Sequence, residues 1–256
     1  MLRNTFVHVP GISEQVERKL WARGCHDWDC LLESGSELDF GEAKPENVRR
    51  YIARSRNALE SGQHQFFRKG LGLQHAWRAF EAFRHSCVYL DIETDGGQRH
   101  DCITGIGMYD GSEFRCLLRG QDLENFRDVI SHYSMIVTFH GSAFDLRALQ
   151  KRFFGLRFDQ IHLDLCPTLR QLGLKGGLKA VEKELGIQRS PETDGLTGYD
   201  AVKLWRRYER FGDERALETF IAYNREDVVN MERLAEHAYR ELSAKVRAGL
   251  QSALAL

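Results

Sequence analysis

The stretch Val88–Gly96, VYLDIETDG, decides how the rest of the chain is read. Val88, Tyr89, Leu90 and Ile92 have the aromatic and aliphatic character of a buried strand. Yet that strand runs into Asp91 and Glu93, with only Ile92 between them. Side chains alternate across a strand, so both carboxylates leave the same face. Carboxylates this close repel each other, and burying them calls for a proton or a cation between them. A strand end whose acids simply reach water would read the same way. The choice falls to the remainder of the chain.

With 256 residues the chain is long enough for one sizeable domain or a domain plus a small module. The formal net charge of −1 gives no global pull toward nucleic acid, so any such pull must come from a local patch. No apolar run is long enough to span a membrane, and the opening MLRNTFVHVPG lacks a signal-peptide core. The six cysteines are scattered and contain no C-x-x-C, which reads as reduced thiols in a cytoplasmic protein. Cys25, His26 and Cys30 have poor spacing for a zinc site.

Residues 1–60 read as a helical module without strand signals. A Pro10-Gly11 turn precedes a periodic helix carrying Val16, Leu20 and Trp21, Gly24 suits its C-cap, and Trp28, Leu31 and Leu32 begin another. Pro45 fits the first turn of a third helix. Residues 61–84 form a basic and aromatic connecting segment, with Arg68, Lys69, Arg78 and Arg84 set among Phe66, Phe67, Trp77, Phe80 and Phe83. Such a segment can stack bases and neutralise phosphates. Leu73, Trp77, Phe80 and Phe83 also follow helical core spacing, which favours packing and leaves Arg68 and Lys69 as the substrate contacts.

From Cys87 the pattern turns to mixed α/β. CVYLDIET is a strand, and two more flank a tight Asp110-Gly111 turn, a hairpin signal. A helix through DLENFRDVIS leads to strand MIVTFH, a helix from about Phe144, and strand IHLDL. Helices then follow through GGLKAVEKELG, YDAVKLWRRYERF and a long run from Ala216. This order predicts one mixed central sheet flanked by helices.

Three acidic positions punctuate this region. Asp91 and Glu93 end the first strand, Asp145 follows MIVTFH in FHGSAFD, and Asp227 lies on the last helix. Tyr223 precedes Asp227 by four residues and so shares its helix face. Two divalent cations about 4 Å apart, clamping a phosphodiester, need such a set of hard oxygen ligands. A tyrosine hydroxyl can orient or deprotonate the attacking water.

The order D-x-E, downstream Asp, then Y-x-x-x-D resembles the three motifs of the DEDDy 3′–5′ exonucleases, a branch of the RNase H-like (DnaQ-type) superfamily. The run from VYLDIETDG through FHGSAFDLRAL, GGLKAVEKELGI and AYNREDVVNMERL is similar to prokaryotic ribonuclease H-like domain-containing proteins, over residues 85–245. The resemblance implies an RNase H-like α/β fold and a metal-dependent hydrolase acting on DNA or RNA, at single-stranded 3′ ends, with two Mg²⁺ or Mn²⁺ ions. It implies that Asp91 bridges both metals, that Glu93 and Asp227 complete the site of the water-activating one, that Asp145 holds the second, and that Tyr223 orients the nucleophile. Thr94 would contact the terminal nucleotide. His140 or Gly141 stands where the family often has Asn ahead of Phe144-Asp145, which bears on how the substrate strand is held there.

Asp164 resembles a family acid, but a helix cap near Pro167 explains it better. His140 divides evenly between substrate contact and satisfied core histidine. Lys175-Gly176-Gly177 reads as a turn, and Glu226, about 100° around the helix from Asp227, as solvated. The VPGIS turn is similar to a helix-hairpin-helix, whose loop amides grip a phosphate. Two rival readings are a non-catalytic nucleic-acid-binding scaffold and a structure-specific endonuclease. Loss of a carboxylate would favour the first, and none is lost.

Overall fold

The structure is a computed structural model that describes residues 1–34, 38–97 and 102–254, with side chains as far as residue 248. Its N-terminal part is helical: α1 Glu14–Ala22, α2 Trp28–Glu33, α3 Pro45–Glu60, α4 His64–His75 and the short α5 Phe80–Phe83. Local chemistry sets these bounds. The Ser13 hydroxyl accepts from Val16 N at 3.3 Å to start α1, and Gly24, at φ 82°, turns the chain after it. Asp27 caps α2 through Cys30 N at 2.8 Å, and Pro45 opens α3.

Only a 3₁₀ turn, Leu2–Asn4, precedes the Pro10-Gly11 turn, so the helix-hairpin-helix likeness keeps just its second helix. Glu17 explains the missing first one. Its carboxylate takes the N–H groups of Phe6 at 2.6 Å and Val7 at 3.1 Å, which holds that segment off a helical path. Phe67, Trp77, Phe80 and Phe83 are buried, so the aromatic segment is core. Leu73 departs from the expected core spacing and is 48% exposed. The reason is a kink: Gly72 sits at φ 58°, where L side chains are disfavoured, and turns Leu73 outward.

The sheet has five strands: β1 Cys87–Thr94, β2 Ile103–Tyr109, β3 Phe114–Leu118, β4 Met135–Thr138 and β5 Ile161–Asp164, in the order β3-β2-β1-β4-β5. β1–β2 and β2–β3 are antiparallel, while β1–β4 and β4–β5 are parallel. The hairpin turn forms because the Asp110 carboxylate gathers Ser112 N at 2.9 Å and Glu113 N at 2.8 Å, with Gly111 at φ 96°. The remaining helices are α6 Phe126–Ile130, α7 Asp145–Arg152, α8 Leu165–Arg170, α9 Leu178–Glu184, α10 Gly198–Phe211 and α11 Glu214–Leu254. The mixed sheet flanked by helices is the architecture expected from the sequence.

Alternation along β1 places the site. Val88, Leu90 and Ile92 pack with Leu149 and Phe153 on the α7 side. Cys87 and Tyr89 join Val228, Met231 and Leu234 on the α11 side, in a core that continues into the N-terminal helices. Asp91 and Glu93 extend that second row, so both acids face α11. α11 can lie close because β2 offers glycines beneath it. A Cβ on Gly107 would fall 1.9 Å from Asn224 Oδ1, and one on Gly105 would fall 3.0 Å from the Phe220 ring.

Candidate active site

β1 pairs with β4 only as far as Tyr89↔Val137, so the two strands part before Asp91. Into the gap come α7 and α11. A carboxylate oxygen from each of Asp91, Glu93 and Asp227 lies within 4.8 Å of the others. Asp145, at the start of α7, stands outside that trio. Its Oδ1 accepts from Ile92 N at 3.1 Å, a backbone donor that β4 no longer pairs. Glu93, Asp145 and Asp227 are buried, and Asp91 is partly exposed toward a cavity of about 480 Å³ that all four line.

The electrostatics follow from burial of like charge. Burial pushes the Glu93 carboxyl up to about 8, helped by the charges of Asp227 and Asp145. Burial likewise raises Asp145 to about 7, against the pull of the Ile92 N–H. Asp91 is raised well above the carboxylate range, by burial first and then by Asp145, Asp227 and Glu93. Asp227 is raised by burial but restrained by Arg189. This is an all-oxygen donor set whose charge needs a cation, so it fits Mg²⁺ or Mn²⁺ better than a softer metal.

Supporting side chains come from elements far apart in sequence. Asn224 Nδ2 donates to Asp91 Oδ2 at 3.1 Å. Arg189 donates to Asp227 Oδ1 at 2.5 Å and holds Glu182 with two bonds, at 2.7 and 2.8 Å. Asn230 gives Glu182 a further bond at 3.0 Å. Lys179, on α9, donates to the Tyr223 hydroxyl at 3.1 Å and sits 4.3 Å from its ring centroid. Its ammonium also donates to the Leu196 carbonyl. Burial, then the charges of Asp227, Glu93 and Asp91, raises the Tyr223 pKa, so the hydroxyl stays protonated.

The β4–α7 loop is held tightly. Asp164 Oδ1 takes His140 N at 2.8 Å and Cys166 N at 3.1 Å, while Oδ2 takes Ser142 N at 3.0 Å. Asp164 therefore caps α8 and pins the loop. His140 adopts φ 71°, an uncommon left-handed backbone for a residue with a side chain. Gly141 has no room for a Cβ, which would meet Thr138 Oγ1 at 2.3 Å.

Thr94, His140 and Phe144 line the carboxylate cavity, together with Tyr199 of α10. Phe144 is 53% and Tyr199 68% exposed, two aromatic faces at its mouth. Arg68 and Lys69 do not line this cavity: Arg68 lines a neighbouring one, and Lys69 is exposed. Glu226 corrects its reading as solvated. It is half-buried, accepting from Ser190 N at 2.9 Å and from the Thr193 hydroxyl, because the chain after Arg189 folds back over α11. Gly176, at φ 107°, forms the expected turn before α9.

Asn224, Lys179, Glu182, Arg189 and Tyr199 were not singled out from sequence. Asn224 alone had a local signal, as the residue after Tyr223 on a helix already assigned to the site. The other four depend on how α9, α10 and their connection fold back. The cysteines are all free, and among the described residues the one cluster of three acidic, His or Cys ligands is Asp91, Glu93 and Asp227. No helix of the described residues is long and apolar enough to cross a membrane.

The RNase_H_2 family model, of the RNase_H superfamily, matches residues 88–239. No curated protein matches the chain.

Proposed function

The chain belongs to the RNase_H superfamily, and from that footing we propose that it is a metal-dependent 3′–5′ exonuclease cutting single DNA or RNA strands. Superfamily membership carries nuclease chemistry on a nucleic acid; the exonuclease direction and the two-metal mechanism are the proposal. The observation that carries it is the convergence of Asp91, Glu93 and Asp227 within 4.8 Å, with Tyr223 one turn before Asp227 and Asp145 bonded to β1.

Asp91, Glu93 and Asp227, with Asp145 beside them, would hold the divalent cations. Such ions, when bound, supply Lewis-acid charge at the scissile phosphate and lower the pKa of water. The protein's own groups set the geometry. Asn224 fixes the rotamer of Asp91, and Arg189 fixes that of Asp227. Lys179 occupies an acceptor direction of the Tyr223 oxygen, so the hydroxyl proton points away from Lys179. Its position one turn before Asp227, with Lys179 on its oxygen, suits Tyr223 to orient the attacking water. Phe144 and Tyr199 offer stacking faces for terminal bases.

The test is a product ladder on end-labelled DNA and RNA, with free and blocked 3′ ends, with Mn²⁺ or a chelator. Stepwise shortening from free 3′ ends that stops on chelation is the expected result. Internal cuts on blocked strands would replace the reading with an endonuclease. Binding without cleavage would replace it with a scaffold.

A further inference from the structure

A second cavity, of about 470 Å³, lies between α4, α7 and β5. β5 is the last strand in the sheet order, so among the described residues its outer edge has no strand partner. Arg68 enters this cleft from α4, Arg147 and Gln150 from α7, His162 from β5, and Ser142 from the loop before α7. Among the described residues no Asp or Glu lines it. Several other arginines are matched to acids, as Arg78 is to Glu17, Arg84 to Glu236, Arg119 to Asp95 and Arg189 to Asp227. Arg68 and Arg147 are exposed and have no acidic partner among the described residues. Two unmatched guanidinium groups around an acid-free cleft attract anions, and phosphates suit their fork geometry.

A second observation points the same way. Gln160 is 4% exposed and lines the cleft. Its Nε2 donates to Ile130 O at 3.0 Å, but its Oε1 has no partner. A buried carbonyl left open is costly unless a ligand or water brings a donor. The cleft also adjoins the carboxylates. Phe139, His140, Phe144 and Asp145 line one cavity, while Ser142, Leu146 and Arg147 of the same segment line the other. Asp164 pins that segment, so the two cavities keep a fixed relation.

We propose that this cleft is the track for the 5′-side nucleotides of the strand whose 3′ end lies at the carboxylates, with Arg68 and Arg147 on its phosphates. The proposal rests on the nucleic-acid reading above and adds to it. Arg68 lies outside the 88–239 region that defines the family match, so the N-terminal part of the chain supplies one wall of the track.

The test uses the full chain with Arg68→Gln and Arg147→Gln, singly and together, each first shown to melt like the wild type. Binding of a labelled single strand of about ten nucleotides, within the span of single-strand sites, is read by anisotropy in an Asp91→Asn background. The double variant should bind at least about tenfold more weakly, and its slope of log K against log salt should flatten by about 1.4, near 0.7 for each lost contact. In the active background, its preference for that strand over a mononucleotide nitrophenyl ester, which has nothing upstream, should fall in proportion. Unchanged affinity and slope overturn the track. Equal loss on the ester also overturns it, since the arginines would then act at the reacting end. If the wild type binds through these arginines yet cuts no nucleic acid with Mn²⁺, the track stands and the exonuclease reading falls. If it cuts and ignores both substitutions, the reverse holds.

Discussion

Glu17 in the N-terminal helices and Glu93 at the end of β1 are both buried carboxylates, at 1% and 7% exposure, and they keep opposite company. Glu17 receives Arg78 Nη1 at 2.7 and 2.9 Å, plus two backbone N–H groups. Glu93 has Asp91 and Asp227 for its nearest ligating neighbours, and its pKa climbs to about 8. A buried charge that serves the fold comes with its counter-charge built in. One that serves chemistry leaves the counter-charge to a ligand. Asp227 has both kinds of neighbour, Arg189 holding one oxygen while the other acids crowd the carboxylate.

The largest effect should fall on the unpaired side of this comparison. Asp91→Ala or Glu93→Ala is expected to reduce hydrolysis to background while leaving the melting temperature unchanged or higher, since clustered like charge is relieved. Activity and calorimetry on the same preparations check this, and near wild-type turnover in either variant would remove the two-metal assignment. Tyr223→Phe should lower kcat by roughly 10²–10⁴-fold with metal affinity little changed. Lys179→Met should cost about tenfold, and much less when Tyr223 is already Phe, if it acts through that hydroxyl. Additive losses in the cycle would make Lys179 independent of Tyr223.

On the paired side, Arg78→Ala should leave Glu17 buried and uncompensated, costing about 3–5 kcal/mol in denaturant unfolding. A loss under about 1 kcal/mol would place this pair with surface ion pairs instead.

The smallest effect is on pH dependence, and the site carboxylates should differ in sign from His8. Folded Glu93 titrates near 8 rather than 4.5, and Asp145 near 7 rather than 3.8. Their contribution to stability is full below the unfolded values and lost as pH rises through the folded ones. The chelated protein should therefore melt lower as pH rises across that window, and added Mn²⁺ should abolish the decline. His8, buried in the N-terminal helices, is pushed down to about 3 from 6.5. Its contribution is full above 6.5 and lost as pH falls toward 3. His8→Gln should flatten the acid limb alone. A chelated protein with level stability between 4.5 and 8 would contradict the account of Glu93.

What could be read ahead of the structure shared one property: the information was local. Period-two alternation in CVYLDIET, the Asp110-Gly111 turn and the four-residue step from Tyr223 to Asp227 each lie within a few residues of backbone geometry. The helix-hairpin-helix likeness misled in part, because Glu17 reaches back to Phe6 and Val7 from the following helix. Glu226 misled for a similar reason, since Ser190 and Thr193 return to it from another segment.

The sequence by itself determined the mixed α/β class, the order of the elements, and which acids stand at strand and helix ends. Backbone periodicity and turn chemistry are short-range, and they suffice for that. Only the tertiary structure decided that α11 settles on Gly105 and Gly107 and so brings Asp227 to Asp91 and Glu93. It alone set Lys179 on Tyr223, Arg189 on Asp227, and Arg68 across a cleft from Arg147. Those contacts join segments tens of residues apart, and each depends on close packing between elements, which no local pattern encodes.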